Sequence, residues 1–434
     1  ALAREAPAEL VQADPLAGPW RLGRWTLKSR LLLAPMESVN DCAYRRMCFE
    51  QGAGFTFTEM VRPTAVARRN RSSLLRIDTF DPGTPTSVQF LGSTPKDIRS
   101  ALTMLDELAQ DECPHWATGI HGVDVNFGCP STNVIRDGHG PALLNRPHVV
   151  REVFDALAEW RARTRLPIGV IGAKIRLGLN ADDERRGIFL RVVRAARGRL
   201  DYVAVHGRHA REESKSSRAR WEPIERAKEA VGEELKILGN GDVFTRGDAA
   251  AMMEQTGCDG VLAARGSIKT AGFIFNPEWQ GDDPAVVAAG PRLEQRYAEL
   301  SECFGGARPK IAEYHREAFR RIRARGSRKV LRDKWEALSH WLTQERKGHS
   351  KSGVWNLDQG KLAAFFSQDV RISYCCWSPF AEANHAGLAG AAEFLPFLAQ
   401  AIGENKAEVH LPMEEAEEDP RQLIVGLSNT CTLQ

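Results

Sequence analysis

No stretch of this chain stays apolar long enough to cross a membrane. Its longest apolar runs, such as Ile168–Ala173, fall far short of the roughly 20 residues a spanning helix needs. Nor does a charged, then apolar, then small-residue segment open the chain, so no secretory signal is legible there. The chain begins without Met, which leaves a processed front end, and a missing targeting segment, as an open alternative. Nine cysteines are an odd number for a disulfide framework, and they are scattered without zinc spacing. Reduced thiols in a cytoplasmic compartment are therefore expected, with no bound metal, no membrane contact and no protein partner inferred. The net charge of +3 is too small to identify a nucleic-acid partner by itself.

What is present is an ordinary globular composition, 43% hydrophobic and 26% charged, on 434 residues. That length accommodates one large barrel and a smaller appended domain. Eight short apolar runs recur through the first two thirds: Leu31–Met36, Phe55–Met60, Thr86–Gly92, Val123–Gly128, Ile168–Leu177, Tyr202–Gly207, Leu235–Asn240 and Gly260–Arg265. Amphipathic stretches separate them, among them Pro95–Ala109, Pro147–Arg163, Asp182–Arg197 and Arg246–Thr256. Ser93-Thr94-Pro95 supplies cap chemistry before one of these helices. Continuous apolar strands alternating with helices imply parallel strands covered on both faces. Eight such units predict an α/β fold, a (β/α)8 TIM barrel. A doubly wound open sheet is disfavoured, because no Gly-x-Gly-x-x-Gly turn follows the first strand.

Beyond the barrel the pattern becomes helical, with Tyr297, Leu300, Phe304, Ile311, Tyr314, Phe319, Ile322, Leu331, Trp335, Leu338 and Trp341 suiting a small bundle. The expected organisation is a surface-lying N-terminal extension at 1–23, a catalytic barrel at 24–283, a helical domain at 284–347 and a C-terminal extension at 348–434. The last contains an acidic run, Glu414–Asp419, and the vicinal Cys375-Cys376, which lack the spacer of a metal knuckle. Between Arg308 and Lys334 stand eleven Lys and Arg, including Arg316, Arg320, Arg321 and Arg323, opposed by Glu313, Glu317 and Asp333. Such a helical face can neutralise phosphates, and a solvated helix surface is the plainer alternative.

The chemistry-bearing residues gather at the carboxyl ends of the strands, where barrels build active sites. In Asn126-Phe127-Gly128-Cys129-Pro130, Gly128 permits a tight turn and Pro130 stops the strand, so Cys129 is expected to project into the mouth. An ordinary thiol, with a pKa of about 8.5, is mostly protonated near neutral pH and can act as a general acid. Lys174, within an apolar strand, must meet something polar. It either pairs with an Asp that closes the barrel or stands beside an electron-rich cofactor such as reduced flavin. His206 could hydrogen-bond the same ring edge or be a satisfied structural histidine. The seventh and eighth runs end in Gly239-Asn240-Gly241-Asp242 and Ala263-Ala264-Arg265-Gly266, positions suited to phosphate through backbone N–H groups and a guanidinium.

Taken together, these motifs resemble the tRNA-dihydrouridine synthase family over about Leu31–Phe275. Ala34-Pro35-Met36 and Val88-Gln89-Phe90 come first. Asn126-x-Gly128-Cys129-Pro130 and Gly138-His139-Gly140-x-Ala142-Leu143-Leu144 form the most distinctive block. Lys174-Ile175-Arg176-Leu177-Gly178, His206-Gly207-Arg208, Asn240-Gly241-Asp242 and Ala264-Arg265-Gly266 follow in the family's order. The resemblance implies FMN, held by Pro35 and Met36 at the ring, by Gln89, Lys174 and His206 along its polar edge, and by Asn240, Gly241, Asp242, Ala264, Arg265 and Gly266 at the phosphate end. It implies NADPH or NADH as reductant, Cys129 as proton donor, and tRNA as substrate. Asn126 would contact the uracil, with Arg208 and the basic helix (Arg316, Arg320, Arg321, Arg323) on the substrate side. Where the family usually carries Thr and a Ser-Gly-x-Ala-Asp-Trp pattern, this chain reads Arg208-His209-Ala210-Arg211 and Ser217-Arg218-Ala219-Arg220-Trp221. Two alternatives are an FMN barrel that reduces a free small molecule and a non-catalytic RNA-binding barrel.

Overall fold

The computed structural model describes residues 14–77, 81–212, 217–279, 281 and 283–325. The chain divides between Gly326 and Ser327. Everything after that boundary lies outside the described residues, including the basic positions beyond Arg325, the acidic run and Cys375-Cys376.

Each of the eight apolar runs becomes one strand. After an antiparallel hairpin of β1 (Ala17–Leu22) and β2 (Trp25–Ser29) come β3 (Leu31–Leu33), β4 (Thr56–Val61), β5 (Thr86–Leu91) and β6 (Gly122–Phe127). These are followed by β7 (Val170–Ile175), β8 (Tyr202–His206), β9 (Lys236–Asn240) and β10 (Gly260–Ala263). The last eight form a parallel sheet in the order β3-β10-β9-β8-β7-β6-β5-β4. Its two edges meet, since Leu33 N–H donates to the Phe55 carbonyl at 3.0 Å and Gly54 N–H to the Leu31 carbonyl at 2.9 Å. The sheet is thus a closed (β/α)8 barrel with no exposed edge.

Strand periodicity sorts the apolar side chains into two cores. Leu32, Ala34, Tyr202 and Ala204 point inward and pack with Phe55, Phe57, Val170, Leu238 and Leu262. Their neighbours Leu31, Leu33, Val203 and Val205 point outward, into the larger core beneath the helices. Residues 17–22, assigned from the sequence to a front extension, instead pair with β2. Trp20, Leu22 and Leu27 join the inward core. Arg24 N–H donates to the Gly169 carbonyl at 2.7 Å, and the Trp25 indole to the His121 carbonyl at 3.0 Å. Residues 121 and 169 immediately precede β6 and β7, so the hairpin plugs the barrel's amino end.

The helices follow their caps. Thr94 accepts from Asp97 N–H at the start of Pro95–Asp111, and Thr245 with Asp248 forms a capping box for Arg246–Thr256. The helix expected over 182–197 is two pieces, Ala181–Arg185 and Ile188–Ala196, because Gly187 between them adopts a left-handed φ of 63°.

After the barrel, Asp283–Cys303 and a second helix over 309–325 pack against Cys42–Glu50. Ile311, His315, Phe319 and Ile322 form the buried stripe of the second helix. Tyr314, one position off that stripe, stands 39% exposed, and His315 takes the interior place. The His315 ring lies 4.5 Å from both Tyr44 and Tyr297 and donates from Nε2 to the Val39 carbonyl at 2.9 Å. Tyr297 in turn donates to Asp41 at 2.8 Å, the residue that caps Cys42–Glu50.

The hairpin plug has a measurable consequence. Trp20→Ala is expected to destabilise the protein by about 3–5 kcal/mol, the usual range for emptying a buried aromatic site. Urea unfolding followed by circular dichroism measures it, and an unmoved midpoint would show that the hairpin is not part of the core.

Candidate active site

Strand register sets the site's lower level. Gln89 on β5 sits opposite Asp124 on β6, Asp124 opposite Gly172 on β7, and Gly172 opposite Tyr202 on β8. A side chain at 172 is impossible, because its Cβ would fall 2.2 Å from the Tyr202 ring. Glycine there lets Tyr202 reach across β7 and donate to Asp124 Oδ2 at 2.7 Å. Gln89 donates to the other oxygen, Oδ1, at 2.5 Å.

One level nearer the carboxyl ends, Asn126 lies opposite Lys174, and Lys174 opposite Ala204. Asn126 donates to Gln89 Oε1 at 2.9 Å and accepts from Gly128 N–H at 2.8 Å. Burial pushes Asp124 up to about 6, although hydrogen bonds from Tyr202 and Gln89 and the nearby Lys174 charge all resist the change. Burial likewise pushes Lys174 down to about 7; Arg176 adds to that, while Asp124 and Cys129 oppose it. Asp124 and Lys174 are thus close enough for the charge of each to act on the other.

Above this level opens a cleft of about 160 Å³ lined by Arg176, His206, Asn240, Gly241, Asp242, Phe244, Ala264 and Arg265 among others. Gly241 makes its wall possible: φ is 128°, and a Cβ would meet Ala219 at 2.6 Å. Asp242 is the cleft's organiser. It accepts from Arg208 and Arg265 at 2.6 Å each and from Ala219 N–H at 2.7 Å. Burial by itself would raise the Asp242 carboxyl, but these donors and the two arginine charges outweigh it and hold the group below its ordinary value. His206 is held far below the usual imidazole range, first by burial and then by the charges of Lys174, Arg176, Arg208 and Arg265. It is a neutral ring inside a cationic shell.

Cys129 follows β6 at the same mouth, partly exposed. Arg176, a residue of the cleft, donates to the Gly128 carbonyl at 2.9 Å and to the His209 carbonyl at 3.0 Å. Thiol and cleft therefore share a wall. Burial raises the Cys129 pKa; a hydrogen bond with the Ser131 backbone and the charges of Arg176 and Arg62 pull it down, while Glu37 pushes it up, and the net shift is upward. The group stays a protonated thiol at neutral pH.

The structure thus gathers Lys174, His206, Asn240, Gly241, Asp242, Ala264 and Arg265 in one region, with Gln89 and Asn126 just beneath. Pro35 and Met36 are half-buried immediately after β3, and Gly266 is buried behind the cleft against the Val243 carbonyl. Arg208 lies differently from its expected substrate-side place. Only 1% exposed, it faces Asp242 and the Ser217 carbonyl, which places it behind the cleft. In the atypical loop, Trp221 donates to the Gly241 carbonyl at 3.0 Å, so the loop closes onto the cleft despite its altered sequence.

On the basic helix, Arg316, Arg320, Arg321 and Arg323 are exposed. Arg320 and Arg321 share Glu317, and Arg323 pairs with Glu294 of the preceding helix. Arg308 is half-buried and paired with Glu59, which is 1% exposed, so it does not belong to that face. Among the described residues no group of three His, Cys, Asp or Glu is placed to hold a metal ion, and no helix is long and apolar enough to cross a membrane.

Arg176, Phe244, Asp124 and Tyr202 were given no role from sequence. Arg176 was within reach, since it stands two residues beyond Lys174 and therefore on the same strand face. Asp124 and Tyr202 carried no local signal, because their meeting depends on register across three strands.

Comparison with known proteins places residues 32–305 within the model of the family described as dihydrouridine synthase (Dus). The tRNA-dihydrouridine synthase B of Pseudomonas aeruginosa is 34% identical over 245 residues, covering 56% of this chain and 68% of that protein. A probable tRNA-dihydrouridine synthase of Aquifex aeolicus is 31% identical over 274 residues, covering 63% and 80%. One from Rickettsia bellii is 31% identical over 248 residues, covering 57% and 70%.

The raised thiol makes a pH prediction. Alkylation of Cys129 by iodoacetamide, followed peptide by peptide, should keep accelerating above the ordinary thiol midpoint of about 8.5, because the reactive thiolate appears only as pH passes the raised value. A rate that levels off below that midpoint would mean the thiol is activated rather than held protonated.

Proposed function

This chain belongs to the dihydrouridine synthase family, and on that premise we propose that it reduces the C5–C6 double bond of specific uridines in tRNA to dihydrouridine. FMN, when bound and recharged by NADPH or NADH, would be the source of the hydride that C6 of the base accepts. The cleft's chemistry fits such a group. Its cations exceed its carboxylates, Arg265 offers a planar donor pair for phosphate, and Gly241 leaves backbone within reach of it. Lys174 and the neutral His206 would lie along the ring's polar edge, with Gln89 below and Pro35 and Met36 beside it. Asn240, Asp242, Ala264 and Gly266 shape the phosphate end, Asp242 by aiming Arg265.

Cys129 holds the proton that C5 takes. Its raised pKa keeps that proton on sulfur until the base arrives, and Gly128, fixed by Asn126, sets where the sulfur stands. Asn126 also retains amide capacity to read the uracil edge. A stacked uridine cannot reach this mouth, so the base must be flipped out, at a cost of a few kcal/mol. Arg316, Arg320, Arg321 and Arg323 offer phosphate contacts to offset it, once their neighbours Glu317 and Glu294 release them. Arg208 acts from behind, through Asp242.

One observation carries this reading. Arg176 lines the cation-rich cleft and also binds the Gly128 carbonyl at 2.9 Å, so a protonated thiol and an anion site open onto one mouth. Reduction of a free small molecule would need the same mouth, and the substrate preference separates the two.

Cys129→Ala should still accept electrons from NADPH into its flavin, yet form dihydrouridine in tRNA about 100-fold more slowly or worse, the usual loss for a missing general acid. Dihydrouridine yield measured by mass spectrometry tests this, with free uridine in parallel. Undiminished yield would remove Cys129 from the mechanism, and turnover of free uridine matching that of tRNA would favour the small-molecule reductase.

A further inference from the structure

A hydrogen-bonded chain runs up the barrel interior to the thiol's loop, and the proposed reaction assigns its lower end no role. Gly128 N–H donates to Asn126 Oδ1 at 2.8 Å, and Asn126 Nδ2 donates to Gln89 Oε1 at 2.9 Å. Gln89 Nε2 donates to Asp124 Oδ1 at 2.5 Å, and Tyr202 donates to Asp124 Oδ2 at 2.7 Å. Its direction is not arbitrary. A peptide N–H can only donate, so Asn126 must turn its oxygen to Gly128 and its NH2 to Gln89. Gln89 must then turn its oxygen to Asn126 and its NH2 downward, onto a group that accepts. An ionised carboxylate accepts at both oxygens and suits that end of the chain.

We propose that Asp124 is a positioning residue whose carboxylate orients the Gln89 and Asn126 amides and, through them, anchors the N–H of Gly128 beside Cys129. Burial works against ionisation of Asp124, and it is the donors that sustain it: Tyr202 from β8, Gln89 from β5 and the cation of Lys174 from β7. Each carboxamide keeps one spare N–H and one spare lone pair, and the chain decides which end of the side chain presents which. A flipped amide at 89 or 126 would offer a donor where a ligand meets an acceptor. That consequence for catalysis rests on the proposed uridine reduction; the orientation itself does not.

The test therefore reads the peptide group directly. Hydrogen–deuterium exchange with fragment-level mass spectrometry across residues 123–131 needs neither tRNA nor flavin turnover. In Asp124→Asn the new amide can turn either its oxygen or its NH2 to Gln89, because the Tyr202 hydroxyl can donate or accept, so the foot of the chain no longer imposes one direction. Gly128 N–H should then exchange about tenfold faster or more, while Val123 and Val125 keep their protection. The double variant Asp124→Asn with Gln89→Glu moves the carboxylate one position along. The carboxylate now at position 89 accepts from the amides at both 124 and 126, and Gly128 protection should return to within about twofold of the parent protein. Tyr202→Phe removes a donor that sustains the carboxylate, so Gly128 should exchange faster than in the parent protein though no faster than in Asp124→Asn, which keeps the test alive if Asp124→Asn fails to fold. Unchanged Gly128 exchange in Asp124→Asn would overturn the proposal, as would a double variant that exchanges as fast as the single, or a Tyr202→Phe protein whose Gly128 exchange is unchanged.

Discussion

Positive charge confined at a poorly solvated barrel mouth is the constraint around which this site is built. The charges that shift His206 are all cationic, from Lys174, Arg176, Arg208 and Arg265, and Asp242 is already shared between two of the arginines. Charges withdrawn from water without matching partners are costly. Burial takes Arg176 down to about 10 and Lys174 to about 7, which records that cost in two side chains. An anion bound in the cleft would meet Arg176 and Arg265, the two cations that line it. The cluster makes sense as a receptor and poor sense as a stabilising device.

The rest of the barrel is graded to support that mouth. At the amino end, Trp20, Leu22 and Leu27 seal the interior with apolar surface. Midway, Asp124 takes a donor on each oxygen, so a single ionised group is tolerated with its oxygens satisfied. At the carboxyl end the backbone opens through Gly128 and Gly241, and side chains turn polar. The terminal helices are locked to this end through Tyr297 on Asp41, His315 on the Val39 carbonyl and Arg308 on Glu59. Their exposed arginines are thereby held in a defined relation to the mouth.

Much of this was legible in the sequence because it was local. Eight apolar runs became eight strands, and the strand-end motifs at 126–130, 240–242 and 264–266 needed only the rule that barrel chemistry sits at carboxyl ends. What escaped was non-local. Tyr202 looked like an ordinary strand aromatic until register set it over Gly172 and against Asp124. Arg208, two residues past His206, read as substrate-facing. A turn after β8 sends it inward to Asp242 instead, a change that no composition rule anticipates. The hairpin at 17–29 was missed because the front end was read as a surface-lying extension, whereas Gly23 marks the turn between two short strands. The interior role of His315 was hidden by Tyr314, the more apolar neighbour, until the 3.6-residue period of Ile311, Phe319 and Ile322 was seen in place.

The central claim is that the cation cluster is a receptor for the phosphate end of a flavin nucleotide. Comparing FMN with riboflavin, which lacks the phosphate, tests it most directly by fluorescence titration of flavin-free protein. Charge-assisted contacts of about 1.5–3 kcal/mol each predict FMN binding tighter by roughly 100-fold or more, with most of that advantage gone in Arg265→Ala. Equal affinity for the two flavins would contradict the account, because the cluster at Arg176, Arg208 and Arg265 would then have no phosphate to answer to.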